Sequence, residues 1–128
     1  MGKKIVLTLS SKVPGGPNIS LAEEIEIDAY DKIDVLVEAG QSKSVEVQPN
    51  AGDKVQFLLI RSDRYGDDLT YKVNGAGDDV ILDTPQVFVG KGSIGRLGAA
   101  PETLDIDNSL TGDLEGDAAI EILVGREA

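Results

Sequence analysis

Three stretches of this chain have residue types and spacings that could do chemistry. The first is Gly90-Lys91-Gly92-Ser93-Ile94-Gly95, a complete GxGxxG directly after the apolar run Val87-Phe88-Val89. In a dinucleotide-binding unit such glycines let a pyrophosphate approach the N-terminus of the following helix. That chemistry needs a long helix inside a βαβ unit of about thirty residues. Here Gly98 and Pro101 stop any helix early and the upstream sequence reads as strand, so a flexible glycine loop without a cofactor is expected. The second stretch is Gly75-Ala76-Gly77-Asp78-Asp79-Val80-Ile81, which fits the repeat pattern of calcium-binding β-rolls. Those sites form between stacked repeats, and the chain holds no second copy. A hairpin turn at Asn74-Gly75 with a solvated acidic end accounts for the same letters.

The third stretch is acidic. Glu102, Asp105, Asp107, Asp113, Glu115, Asp117, Glu121 and Glu127 stand against Arg126 alone, so residues 102–128 carry −7 of the formal −11. Asp105, Asp107, Asp113, Glu115 and Asp117 are the candidate ligands for a divalent cation, Ca²⁺ by preference, which takes about six to eight oxygens. The spacing is not that of an EF-hand. A loop begun at Asp107 sets Gly112 at the required turn position but puts Ala118 where the bidentate Glu belongs. Asp105 and Asp107 are two apart and so share one strand face, over which the loop 108–117 is placed to fold back. The competing reading is a solvated strand edge followed by an acidic loop.

What is missing excludes more. The 128 residues contain no cysteine and no histidine, which removes disulfides, thiolate nucleophiles, the usual zinc sites and the commonest general base. Paired carboxylates can do acid–base work without histidine, but nothing singles out one pair among 23 acidic residues. Ser42-Lys43-Ser44 sits where an exposed strand end is expected. The reading is therefore non-enzymatic, with no catalytic residue and no cofactor apart from that candidate Ca²⁺. A net charge of −11 disfavours nucleic acid and anionic membranes, both of which are held by Lys and Arg. Met1-Gly2-Lys3-Lys4 imitates the start of a signal peptide, but the apolar stretch after it is too short for an h-region. Nor does any run reach the length of a membrane helix. A soluble protein is expected, cytoplasmic or assembled into a particle.

The elements that must position these residues come from apolar alternation. Ile5, Leu7 and Leu9 share one face, as do Ile25, Ile27 and Ala29, then Ile33, Val35 and Val37, then Val45 and Val47. Residues 55–60 are apolar on nearly both faces and read as a central strand. Residues 69–73, 80–82, 87–89, 104–106 and 120–124 supply the rest. Turn residues at Ala39-Gly40-Gln41, 49–53, Tyr65-Gly66-Asp67-Asp68 and Asn74-Gly75 separate them as hairpins require. The fold class is all-β: one antiparallel β-sandwich over residues 1–128, jelly-roll-like or a meander, with nine or ten short strands and little or no helix. Its core is aliphatic, since Ile, Leu and Val make up 36 residues and Phe and Tyr five. Helix candidates are confined to 21–24 and 93–100. Residues 10–20, with two prolines and two glycines, read as an irregular crossing loop.

What remains is an interaction role. Ile94 and Leu97 are apolar residues on an otherwise polar glycine-rich loop, placed either to dock on another subunit or to close the end of this domain's own core. The first and last apolar runs reach almost to the chain ends, which predicts termini held in strands or by neighbouring subunits. A short, cysteine-free, acidic all-β chain is similar to small accessory subunits of virus or phage particles and other large assemblies, a resemblance of composition and architecture that carries no motif. It implies a structural or interaction subunit whose partners are copies of itself or other protein subunits. The alternative is a Ca²⁺-dependent binding module built on residues 105–117.

Overall fold

Alternation becomes ten strands: β1 (Lys3–Lys12), β2 (Asn18–Ile27), β3 (Ala29–Val37), β4 (Ser42–Glu46), β5 (Val55–Ser62), β6 (Leu69–Val73), β7 (Ala76–Ile81), β8 (Gln86–Val89), β9 (Thr103–Asn108) and β10 (Ala118–Arg126). The computed structural model describes residues 3–48, 54–98 and 100–127; the expected turn at 49–53 and the expected anchoring of Met1 and Ala128 lie outside the described residues. Strands β3-β10-β5-β8 form one antiparallel sheet and β4-β9-β6-β7 a second, in those orders. The chain enters the first sheet at β3, crosses to the second at β4 and winds on between them, the wrap of a jelly roll. β1 and β2 form a separate two-stranded ribbon ahead of it.

The two sheets meet over one aliphatic core. Val37, Leu58, Ile60, Ile120, Ile122 and Val124 from the first sheet belong to the same buried cluster as Val45, Leu69, Tyr71, Leu104 and Ile106 from the second. Polar ties cross between the layers. The Tyr71 hydroxyl donates to Gln86 Oε1 at 2.7 Å, and burial pushes that hydroxyl's pKa up. Asn108 is fully buried; its amide donates to Val37 O at 2.9 Å and Gly116 O at 2.8 Å. That one side chain fastens the end of β9 to β3 and to the loop entering β10.

Several expectations change. The turn residues are where they should be, but of those described only Asn74-Gly75 joins hydrogen-bonded neighbours, β6 and β7. Asn74 at φ 59° and Gly75 at φ 67° take the left-handed conformations that a two-residue hairpin needs. The links at 39–41 and 65–68 instead switch sheets. Residues 10–20 are not a crossing loop: β1 runs to Lys12, and a tight turn returns the chain at Asn18. There Gly16 N donates to Val13 O at 2.7 Å and Val13 N to Pro17 O at 3.1 Å, so Pro14 and Pro17 frame a turn. The helix candidate at 21–24 lies inside β2. The one at 93–100 becomes a single helical turn, α1 (Gly90–Ile94), which starts earlier than expected, followed by a 3-10 turn (Gly95–Leu97).

Candidate interaction surface

Among the described residues the acidic side chains of 105–117 do not form a cation cage. Asp105 and Asp107 do share the outer face of the second sheet, each half-buried on β9. Their carboxylates have different company. Asp107 accepts the Ser109 hydroxyl at 2.6 Å and the Ser42 hydroxyl at 2.7 Å, and those hydrogen bonds, Ser109 first, hold its pKa below the usual value. Asp105 leans over Gly75, its Oδ2 3.1 Å from where a β-carbon would stand. Asp113 sits exposed on the 3-10 turn Gly112–Leu114 and Glu115 exposed after it. Asp117 is spent on the loop itself, its Oδ1 accepting Ala39 N at 3.0 Å. Among the described residues no three acidic side chains are grouped to hold a metal ion.

Ile94 and Leu97 are likewise placed by the domain's own needs. Ile94 is buried in the main core, and Leu97 packs partly buried against it. Three residues apart on a helical turn, they face the same side and close the end of the sandwich. Ile94 is enclosed, while Leu97 stays half-buried and lines an open groove with Val73, Val80 and Arg96.

The uncovered apolar surface lies elsewhere. Strands β1 and β2 pair over their full length, Lys3 opposite Ile27 and Lys12 opposite Asn18. Ten residues at about 3.3 Å each make an arm roughly 33 Å long. One face carries Ile5, Leu7, Leu9, Ile19, Leu21, Ile25 and Ile27, interrupted by Glu23 opposite Leu7 and bounded by Lys3 and Ser11; the other carries Lys4, Thr8, Ser10, Lys12, Asn18, Ser20, Ala22, Glu24 and Glu26 with Val6. At the root the apolar face is seated on the sandwich: Ile27 is 2% exposed, and a β-carbon on Gly125 would stand 2.7 Å from Ile5 Cδ1 and 2.9 Å from Ile27 Cγ2. Lys3 lies over the Tyr30 ring at 5.5 Å. Toward the tip the same face emerges into solvent, with Leu21 39%, Leu9 49% and Ile19 66% exposed. A two-stranded ribbon is marginal on its own in water, and this one holds a row of aliphatic side chains out from its body.

The arm is also electrically distinct. Its three lysines (Lys3, Lys4, Lys12) balance its three glutamates (Glu23, Glu24, Glu26), so the whole −11 resides in the rest of the chain. No family model, curated protein or solved structure matches this chain. The reading of its surface therefore rests on its own geometry.

The sandwich shows a second apolar area. The outer face of the second sheet is polar, made of Ser42, Ser44, Thr70, Lys72, Asp105 and Asp107, with Ile81 the exception. The outer face of the first is not. Across β3, β10, β5 and β8 it presents a row of Lys32, Leu123, Leu59 and Val87, then Asp34, Glu121 and Arg61, then Leu36 beside Ala119. Leu36 and Val87 are exposed, while Leu59 and Leu123 are half-buried and line a small groove of about 200 Å³. A larger open groove of about 730 Å³ follows at the Leu36 end, between Leu36, Tyr65, Pro85 and Ala119. The charged row is internally paired: Lys32 lies 3.0 Å from both Asp34 and Glu121, and Arg61 also contacts Glu121. Lys32 and then Arg61 hold the Glu121 carboxyl below its usual pKa. That is the opposite of the raised carboxyl a glycosidic general acid needs.

The sequence does contain a signal for this surface. Leu58-Leu59-Ile60 and Ile122-Leu123-Val124 are apolar on both faces, yet each strand has only one face toward the core of a two-layer fold. The second face needs a cover, and within this chain the arm's root supplies one at the Gly125 end.

Proposed function

We propose that the protein is a non-enzymatic structural subunit that joins other protein subunits, copies of itself first, as a component of a homo-oligomer or of a larger particle such as that of a virus or phage. The observation that carries this reading is the arm: one mainly aliphatic face that runs from a seated root to an uncovered tip. Burying a Leu or Ile side chain is worth roughly 1.5–3 kcal/mol, and three of them stand uncovered on the distal half. Charge supports the same role. Two bodies at −11 repel, and a neutral arm is the part of each that approaches the other without that penalty. Long free strand edges are also usually covered in working assemblies.

Light scattering over a range of concentrations tests the reading. The full chain is expected to show a dilution-dependent oligomer that tightens with salt, as screening weakens the repulsion between bodies. The double variant Leu9→Lys/Leu21→Lys is expected to stay monomeric with an unchanged thermal midpoint, since both side chains are exposed in the single chain. A wild-type chain that is monomeric at every concentration and salt, or a double variant that associates as well as wild type, overturns it.

A further inference from the structure

We propose that the arm of one copy lies on the outer face of the β3-β10-β5-β8 sheet of a second copy, and that two copies exchange arms in this way. The inference rests on the assembly role proposed above and names the surface that receives the arm. Three features of the molecule support it.

The first is continuity. The arm's apolar face already packs against this sheet face within one chain, at the row where Gly125 lies between Tyr30 and Phe57. Phe57 is 2% exposed yet points away from the main core, so this end of the outer face is a covered apolar surface. The next row along, Leu59 and Leu123 with Val87, has the same character, and Leu59 and Leu123 line an open groove there. A second ribbon laid beside the first extends a contact the fold already makes. The opposite sheet's polar outer face offers nothing of the kind.

The second is charge. Between its eighth and twenty-second residues the chain has one charged side chain, Lys12. An arm tip whose single charge is a cation suits a body that carries the whole −11. On the receiving face Lys32 and Arg61 are balanced by Asp34 and Glu121, so the charged row is neutral as a whole. Glu23, on the arm's apolar face between Leu21 and Ile25, finds Lys32 and Arg61 there.

The third is area. An arm roughly 25 Å by 10 Å beyond its root covers a few hundred Å² of a neighbour, too little for a stable contact; two exchanged arms, counted on both partners, reach on the order of 1,000 Å², the threshold for a specific interface. Reciprocal exchange about a two-fold axis gives each copy one arm and takes one, leaving no unmatched surface to propagate.

The chain has no cysteine, so the pairing is read directly by cross-linking. Leu9→Cys and Leu123→Cys chains are prepared separately, mixed, dissociated by dilution and reconcentrated under mild oxidation. The expected result is a disulfide-linked dimer in the mixture, several-fold more abundant than in either variant alone, with peptides containing positions 9 and 123 joined in the mass spectrum. Leu59→Cys in place of Leu123→Cys gives the same outcome. If Leu9→Cys chains cross-link to one another as readily as in the mixture, the arms pair with arms and the inference falls. It falls equally if light scattering shows an oligomer but neither receiving position cross-links to position 9, in which case the assembly role stands. Chains that remain monomeric throughout remove both.

Discussion

Replacing Gly125 with alanine separates an arm that is seated on the sandwich from one merely tethered to it. The added methyl would stand 2.7 Å from Ile5 Cδ1 and 2.9 Å from Ile27 Cγ2, whereas ordinary contact begins near 3.4 Å, so the two side chains must retreat by about 0.7 and 0.5 Å. Ile5 can yield by rotating its terminal methyl. Ile27 cannot do so cheaply, because Cγ2 sits directly on a β-branched carbon with few allowed rotamers. Overpacking of this kind costs about 1–3 kcal/mol, offset by roughly 0.5–1 kcal/mol from replacing a strand glycine. A net loss of about 0.5–2 kcal/mol is expected at the root. Hydrogen exchange reads it locally, as faster exchange across the root residues of β1 and β2, 3–7 and 23–27, with the sandwich strands little changed. Adding Ile27→Ala removes the methyl that cannot move aside, so the double variant should recover more than the two single effects predict. Unchanged exchange in Gly125→Ala, or a gain in protection, would refute the packing argument and with it the claim that the arm's direction is fixed by the fold.

Three further outcomes follow from particular contacts. Asn108→Leu keeps the branching of the side chain but leaves Val37 O and Gly116 O without their donor; at roughly 1–3 kcal/mol for each carbonyl, urea denaturation should show a loss of about 2–6 kcal/mol, and wild-type stability would contradict the role given to that side chain. Asp107 has a lowered folded pKa, from Ser109 and Ser42, so its contribution is present above the ordinary carboxyl value and lost as pH falls through the folded one. Asp107→Asn should therefore be less stable than wild type at neutral pH, and the two should converge below about pH 4; a constant gap across that window would show that the carboxylate's charge is not what the hydroxyls hold. Millimolar Ca²⁺ should leave the thermal midpoint unchanged, since residues 105–117 are not gathered around one point; a rise that grows with concentration would restore the cation-binding reading.

The strands were legible because each sandwich strand buries one face, and burial writes a period of two into the sequence. Ile33, Val35 and Val37 or Ile120, Ile122 and Val124 could hardly be anything else. The arm was harder for the same physical reason. Beyond Leu7 both its faces meet solvent, so Ser10, Ser11, Lys12 and Asn18 suit it as well as apolar residues would, and the alternation fades into what resembles a loop. Pro14 and Pro17 then read as breakers of a chain they in fact turn. Sheet membership was illegible because the residues at 39–41 and 65–68 favour a turn whether it joins neighbours or crosses between layers. Ile94 and Leu97 could have been placed: a three-residue spacing after Gly90 is the mark of a helical turn facing a core. The acidic stretch misled because sequence proximity counts charges without showing which hydroxyls and backbone groups already occupy them.

The position of β10 also sets an order of events. It is the last of the ten strands along the chain, yet it lies between β3 and β5, in the middle of its sheet. As the chain emerges from the ribosome, the ribbon of β1 and β2 needs only neighbouring residues to form and can close at once. The first sheet must wait, with β3 and β5 holding unpaired edges toward a gap, until the residues after Ala118 arrive. Pairing across nearly a hundred residues of chain is slow, and unpaired edges are where young chains aggregate. A chain cut short before β10 would keep two such edges permanently open, so C-terminal truncation should yield insoluble protein rather than a smaller sandwich.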